Sequence, residues 1–160
     1  MLEHEHIQGW VSALLPVLAP SAVTETLYER MGRVLGLEIN DETDVAMLMQ
    51  AGLPAAAYKR AVNEIRIPAG YVLSAARARI TLAAGIRLDV EDSDRVLRMV
   101  RLYAQACLML GDEATAMSWL HTPLRWRAGV VRLSPLELAQ RDCGARLAEQ
   151  LLQRTVHGVH

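Results

Sequence analysis

The sequence predicts an all-α fold, and three observations carry that prediction. Hydrophobic residues make up 52% of the 160 residues, yet Phe is absent and aromatics reach only 4%. The apolar content is therefore Leu, Val, Ala, Met and Ile, a mix rich in strong helix formers that suits helix–helix packing. Apolar residues also recur at three- and four-residue spacing along most of the chain. Finally, Ser, Asp, Pro and Gly fall where helices would start and stop. No internal repeat or low-complexity tract interrupts the pattern, and no sheet is expected.

The elements follow in order. Ile7, Trp10, Val11, Leu14, Leu15 and Leu18 repeat at helical spacing, and Pro16 bends or interrupts that helix. Ser21 is placed to cap a second helix carrying Leu27, Met31, Val34 and Leu35, which Gly36 can end. Residues 1–39 thus read as an acidic N-terminal extension of short amphipathic helices, able to pack on the rest or on a second copy.

From Asn40 the elements become short. Asn40 or Asp41 can cap a helix bearing Val45, Leu48 and Met49, stopped at Gly52. Pro54 opens a helix with Tyr58, Ala61, Val62 and Ile65 on one face, and Pro68 opens a third short element. Ser74 can cap a fourth, from Ala75 to Ala84, with Gly85 as its stop. Four short helices with tight breaks meet the requirements of a helix-turn-helix, although any small helical domain has the same pattern. Residues 40–90 are read as a helix-turn-helix-like middle domain.

Residues 91–111 form a connecting helix, with Asp92 or Ser93 as its cap and Gly111 as its end. Val96, Met99, Val100, Tyr103, Cys107 and Leu110 make its buried stripe, while Arg95, Arg98 and Arg101 lie elsewhere around it. Residues 112–160 form a compact C-terminal helical module. Asp112 caps a helix to His121, with Met117 and Leu120 inward and Trp119 beside them, and Thr122-Pro123 breaks it. Residues 124–133 read as a loop with a short extended segment. Ser134-Pro135-Leu136-Glu137 is a strong start signal, with Ser at the cap, Pro at the first position and Glu completing a capping box. Asp142 can cap the last helix, on which Leu147, Leu151 and Leu152 join Leu136 as core residues, and Gly158 ends it.

Charge and chemistry narrow the function. Net charge is −1 but uneven. Residues 1–50 hold eight Asp/Glu and two Lys/Arg, whereas residues 51–160 hold ten and fifteen, all but one of the latter being Arg. Arg pairs bidentately with carboxylates and phosphates, so nucleic acid or an acidic protein surface is the fitting partner; a solvated surface has the same composition. There is no phosphate-binding Gly-rich loop, GxSxG, HExxH or CxxC. His4 and His6 lack further metal ligands, and caps and ion pairs account for Asp92 and Asp94 beside Arg95. His121 and His157 have no placeable nucleophile. The expectation is a binding protein, not an enzyme, with no catalytic residue, metal or cofactor. With two cysteines, no signal peptide and no apolar run of membrane length, it is expected in the cytoplasm.

Several short pieces then fall in a telling order. They are Glu91-Asp92-Ser93-Asp94-Arg95; Leu110-Gly111-Asp112-Glu113, Ala116 and Trp119-Leu120 before Pro123; Pro135-Leu136-Glu137-Leu138, Asp142, Gly144-Ala145 and Leu151-Leu152; and Arg154 with His157-Gly158-Val159. This series, over about 70 residues, resembles the toxin-binding region of Xre/MbcA/ParS-type antitoxins. The resemblance implies an antitoxin of a type II toxin–antitoxin system. Its C-terminal module would cover the active site of a cognate toxin of the RES class, which targets NAD. It further implies a homodimer, toxin–antitoxin hetero-oligomers, and autoregulation through operator DNA bound by the helix-turn-helix. On that reading the toxin-binding candidates are Trp119, Trp126, Arg127, Arg154, His157, Gly158, Val159 and His160. The DNA-binding candidates are Arg77, Arg79 and Arg87. The chain departs from the family pattern in three places: a longer link before Pro135 in which only Gly129 is Gly, Arg141 where Thr often stands, and Thr155-Val156 near the end. The adjacent arginine pair often found after the recognition helix is replaced by apolar residues. The alternative is a stand-alone helix-turn-helix transcriptional regulator with no toxin partner.

Overall fold

The computed structural model describes residues 24–125 and 132–158. The apolar stripe from Ile7 to Leu18 and the expected cap Ser21 lie outside these residues. Among the described residues the fold is all-α: α1 (Leu27–Leu35), α2 (Glu42–Ala51), α3 (Ala55–Ile65), α4 (Ala75–Ala84), α5 (Val90–Leu110), α6 (Glu113–His121), α7 (Pro135–Leu138) and α8 (Asp142–His157). A ribbon of two-residue strands, β1 (Leu124–Arg125) and β2 (Arg132–Leu133), joins α6 to α7. Its strands are antiparallel, with Leu124 opposite Leu133 and Arg125 opposite Arg132. The sequence reading allowed an extended segment here but no sheet; the pairing closes a six-residue gap that has no two-residue turn signal.

Local chemistry sets most helix ends. Asp41, Ser74, Asp112 and Ser134 each accept a backbone N–H of the first turn, at α2, α4, α6 and α7 respectively. Gly36, Gly85 and Gly111 close α1, α4 and α5 in the left-handed conformation. Four expectations are corrected. The cap of α1 is Thr26, whose hydroxyl accepts from Glu29 N–H at 3.1 Å while Glu29 accepts from Thr26 N–H at 2.7 Å. The cap of α5 is Asp89, so Asp92 and Ser93 lie within its first turn, both buried. Arg141 precedes α8 without a side-chain cap, and Asp142 instead pairs with Arg146 at 3.1 Å. Pro68 opens no helix: Tyr71 N–H donates to the Pro68 carbonyl and Gly70 N–H to that of Leu73, folding residues 68–73 into a turn.

The 21-residue α5 is the axis of the packing, touching α1, α2, α3, α6 and α8. Its buried face carries Val96, Met99, Val100, Tyr103 and Cys107, as its periodicity predicts, with Leu110 only half-buried. Residues from Met31 on α1 to Leu152 on α8 form one continuous hydrophobic cluster. Polar bridges tie the ends of the chain across it. Arg30 reaches Glu113 at 2.9 Å, the His121 ring Nε2 lies 2.8 Å from the Ile65 carbonyl, and Arg98 donates to the Gln140 carbonyl at 3.4 Å.

Ser93 is a buried polar member of this arrangement. Leu53 N–H, at the start of the α2–α3 connection, donates to Ser93 Oγ at 2.8 Å. Water cannot replace that acceptor where Leu53 is fully buried. Ser93→Ala is expected to destabilise the protein by about 1–3 kcal/mol, the cost of an orphaned buried donor. Urea unfolding checks this, and an unchanged midpoint would contradict it.

Candidate functional site

Two regions hold the candidate binding residues. The first is the end of α8. One face of this helix, carrying Gly144, Ala145, Ala148 and Leu152, is buried. Leu147, expected in the core, is instead exposed, and Leu151 is half-buried. The spacing explains the correction: Leu147, Leu151, Arg154 and Gly158 follow at i, i+4, i+7 and i+11, a stripe turned away from the Ala145–Ala148–Leu152 face. Leu152 is the last buried residue, and residues 153–158 are all exposed. Arg154 and His157 sit in the last turn, and Gly158 (φ 65°) donates its N–H to the Arg154 carbonyl. A left-handed residue costs glycine nothing and redirects the chain sharply off the helix axis. Val159 and His160 lie outside the described residues, as do Trp126 and Arg127. Trp119 is half-buried and packs against the core, which accounts for it without a partner.

The second region is α4 with its flanks. None of its residues is buried, and Ile80 is 65% exposed, with Ile86 beyond its end also exposed. An apolar groove of about 240 Å³ separates it from α3, lined by Tyr58, Val62, Ile67, Leu73, Ala78 and Leu82 among others. The three candidate arginines are differently placed. Arg77 Nη2 pairs with Asp92 Oδ2 at 3.3 Å, and Arg87 Nη1 donates to the Gly52 carbonyl at 2.7 Å. Arg79 is exposed, and its side chain makes no hydrogen bond or ion pair among the described residues. Burial, with the Asp89 carboxylate second, pushes the Asp92 carboxyl above its ordinary range, and Arg77 and Arg95 offset part of that rise.

Other titratable groups serve packing. An open groove of about 660 Å³ is bordered by Glu64, Arg66, Tyr103, Glu113, Met117 and His121. Arg66 caps α3 there with φ 54°, the one non-glycine residue in the left-handed region among those described. Burial raises both the Cys107 thiol and the Tyr103 hydroxyl beside it, which keeps each protonated at neutral pH. No group of three or more His, Cys, Asp or Glu is placed to hold a metal ion among the described residues. No described helix is long and apolar enough to cross a membrane.

The pair Glu42–Arg101 joins α2 to α5. Arg101 Nη2 donates to both Glu42 oxygens, at 2.7 and 2.6 Å, and the Tyr28 hydroxyl donates at 3.1 Å. The Arg101 hydrogen bond holds the Glu42 carboxyl below its ordinary range, against desolvation. A depressed carboxyl adds stability that is fully present above the unfolded-state value and lost as pH falls through the folded-state value. Glu42→Gln is therefore expected to flatten the acid limb of the stability curve, measured by denaturation between about pH 7 and 3. An acid limb identical to that of the unsubstituted chain would contradict the pairing.

Neither region has a sequence relative that would assign its role: no protein-family model matches the chain, and no curated protein matches it.

Proposed function

We propose that the chain is an antitoxin of the Xre/MbcA/ParS type, which neutralises a RES-type, NAD-targeting toxin by covering its active site with the end of α8. The observation that carries this reading is the projecting terminus. Arg154 and His157 lie beyond the last core residue, make no ion pair among the described residues, and lead to a left-handed Gly158. An Arg one turn before such an exit can meet toxin carboxylates or compete for groups that bind a substrate phosphate. The exposed Leu147 and the half-buried Leu151 continue the same stripe, supplying apolar contact beside the charged one. Trp126 and Arg127 supply a second contact in this reading, since large aromatics dominate binding energetics.

Operator binding belongs to the same proposal, with α4 as the contacting helix and Arg79 as its free cation. Without a strongly basic face, affinity would depend on a homodimer or on the toxin–antitoxin hetero-oligomer. The stand-alone regulator is favoured by one observation, an α4 with no buried residue, and it differs in having no toxin to bind.

The test is direct. The purified chain and the product of the adjacent reading frame, mixed, should form a stoichiometric complex in which NAD consumption by that product stops. Absence of a complex, together with a salt-sensitive shift of upstream DNA that Arg79→Ala weakens, would replace the antitoxin reading with the regulator.

A further inference from the structure

We propose that Asp92 is an autoinhibitory anchor for α4: it holds Arg77 in an internal ion pair, so DNA gains this arginine only when the pair opens. The inference rests on the operator-binding part of the function proposed above.

The geometry around Asp92 is asymmetric. Its side chain is 8% exposed, whereas that of Arg77 is 61% exposed. The pair therefore sits at the rim of the fold, with the anion inside and the cation reachable. Because α4 buries none of its residues, this pair and the shallow groove against α3 are what orient the helix. While the 3.3 Å pair stays closed, Arg77 neutralises no phosphate and so adds nothing to the salt dependence of binding.

Opening the pair does not strand Asp92. Arg95, one turn along α5, lies 3.5 Å from Asp92 Oδ1 and stays with the carboxylate. A buried charge without any partner would cost several kcal/mol; with Arg95 retained, exchange of one partner is feasible. A DNA phosphate offers Arg77 the same charge-assisted acceptor chemistry as the carboxylate it leaves. Arg87 has no such exchange available, since its partner is the Gly52 main-chain carbonyl.

The test uses the full chain and a duplex of the DNA directly upstream of its own coding sequence, titrated from about 200 to 50 mM salt. Asp92→Asn should bind more tightly than the unsubstituted chain, with the slope of log K against log salt steeper by about 0.9, the value of one added phosphate contact. Its advantage should accordingly grow about threefold across that salt range. Arg77→Ala alone should leave the slope of the otherwise unchanged chain as it is, and Asp92→Asn/Arg77→Ala should return to that slope. A mere loss of structure in Asp92→Asn would weaken binding and would not steepen the slope. An unaltered slope in Asp92→Asn, or a shallower one in Arg77→Ala, overturns the anchor even where Arg79→Ala shows that α4 contacts DNA. Failure of both the unsubstituted chain and Asp92→Asn to bind the duplex removes the operator-binding reading and the anchor with it.

Discussion

Deleting residues 154–160 is expected to abolish protection of cells that express the cognate toxin, while the truncated protein stays folded. The physical basis is the division of labour along α8. Every core contact of this helix is made by Leu152 or earlier, and residues 153–158 are exposed. The deletion therefore removes one exposed turn and the Gly158 cap, a cost of about 1 kcal/mol. For a chain of this size that shifts the melting temperature by about 2–4 °C. Growth of cells co-expressing toxin and truncated protein gives the functional readout, and circular dichroism gives the fold. Undiminished protection would sink the idea that the terminus covers the active site.

Gly144→Ala is expected to destabilise the protein in spite of a better helix former being introduced. Gly144 is the third residue of α8, and a Cβ there would run into the Leu138 carbonyl oxygen at the end of α7, with Leu138 C at 2.9 Å and Cα at 3.1 Å. All three atoms are main chain, so no rotamer change relieves the contact. Alanine gains about 1 kcal/mol of helix propensity. Overpacking that shifts backbone costs about 1–3 kcal/mol, occasionally more, and here α7 cannot retreat because Ser134, Pro135, Leu136 and Ala139 are buried. A net loss of about 1–2 kcal/mol, or roughly 2–8 °C in melting temperature, is expected. Protection against the toxin should fall in parallel, because α8 must shift to accommodate the methyl group. A rise in melting temperature would show that α7 and α8 part more easily than their buried residues imply.

Much of this fold was legible because its punctuation is local. Asp41, Ser74, Asp112 and Ser134 start helices, and Gly36, Gly85, Gly111 and Gly158 end them, each through hydrogen bonds within a few residues. Where several polar residues compete, local chemistry does not choose. Asp89, Asp92 and Ser93 all suit a cap; the choice of Asp89 leaves Ser93 for Leu53 and Asp92 for Arg77, both tertiary contacts. At Pro68 a helix start is written, but Gly70 takes φ 89°, and the consecutive residues Val72 and Leu73 are both buried. The bonds from Tyr71 N–H to the Pro68 carbonyl and from Gly70 N–H to the Leu73 carbonyl close this stretch as a turn. Leu147 illustrates the same limit from the other side: two stripes on α8 fit the apolar spacing, and contact with α7 and α5 selects Ala145–Ala148–Leu152. The three candidate DNA contacts were alike in the sequence, because the internal partners of Arg77 and Arg87 lie 15 and 35 residues away.

The single cluster from Met31 to Leu152 has a thermodynamic consequence. A chain whose helices α1–α3 and α5–α8 share one interior unfolds as one unit. Calorimetry should record one endotherm, and a protease should digest the molecule in a single phase without leaving a resistant half. Any substitution that loosens α5 then lowers the amount of folded protein as a whole, so both proposed contacts would weaken together.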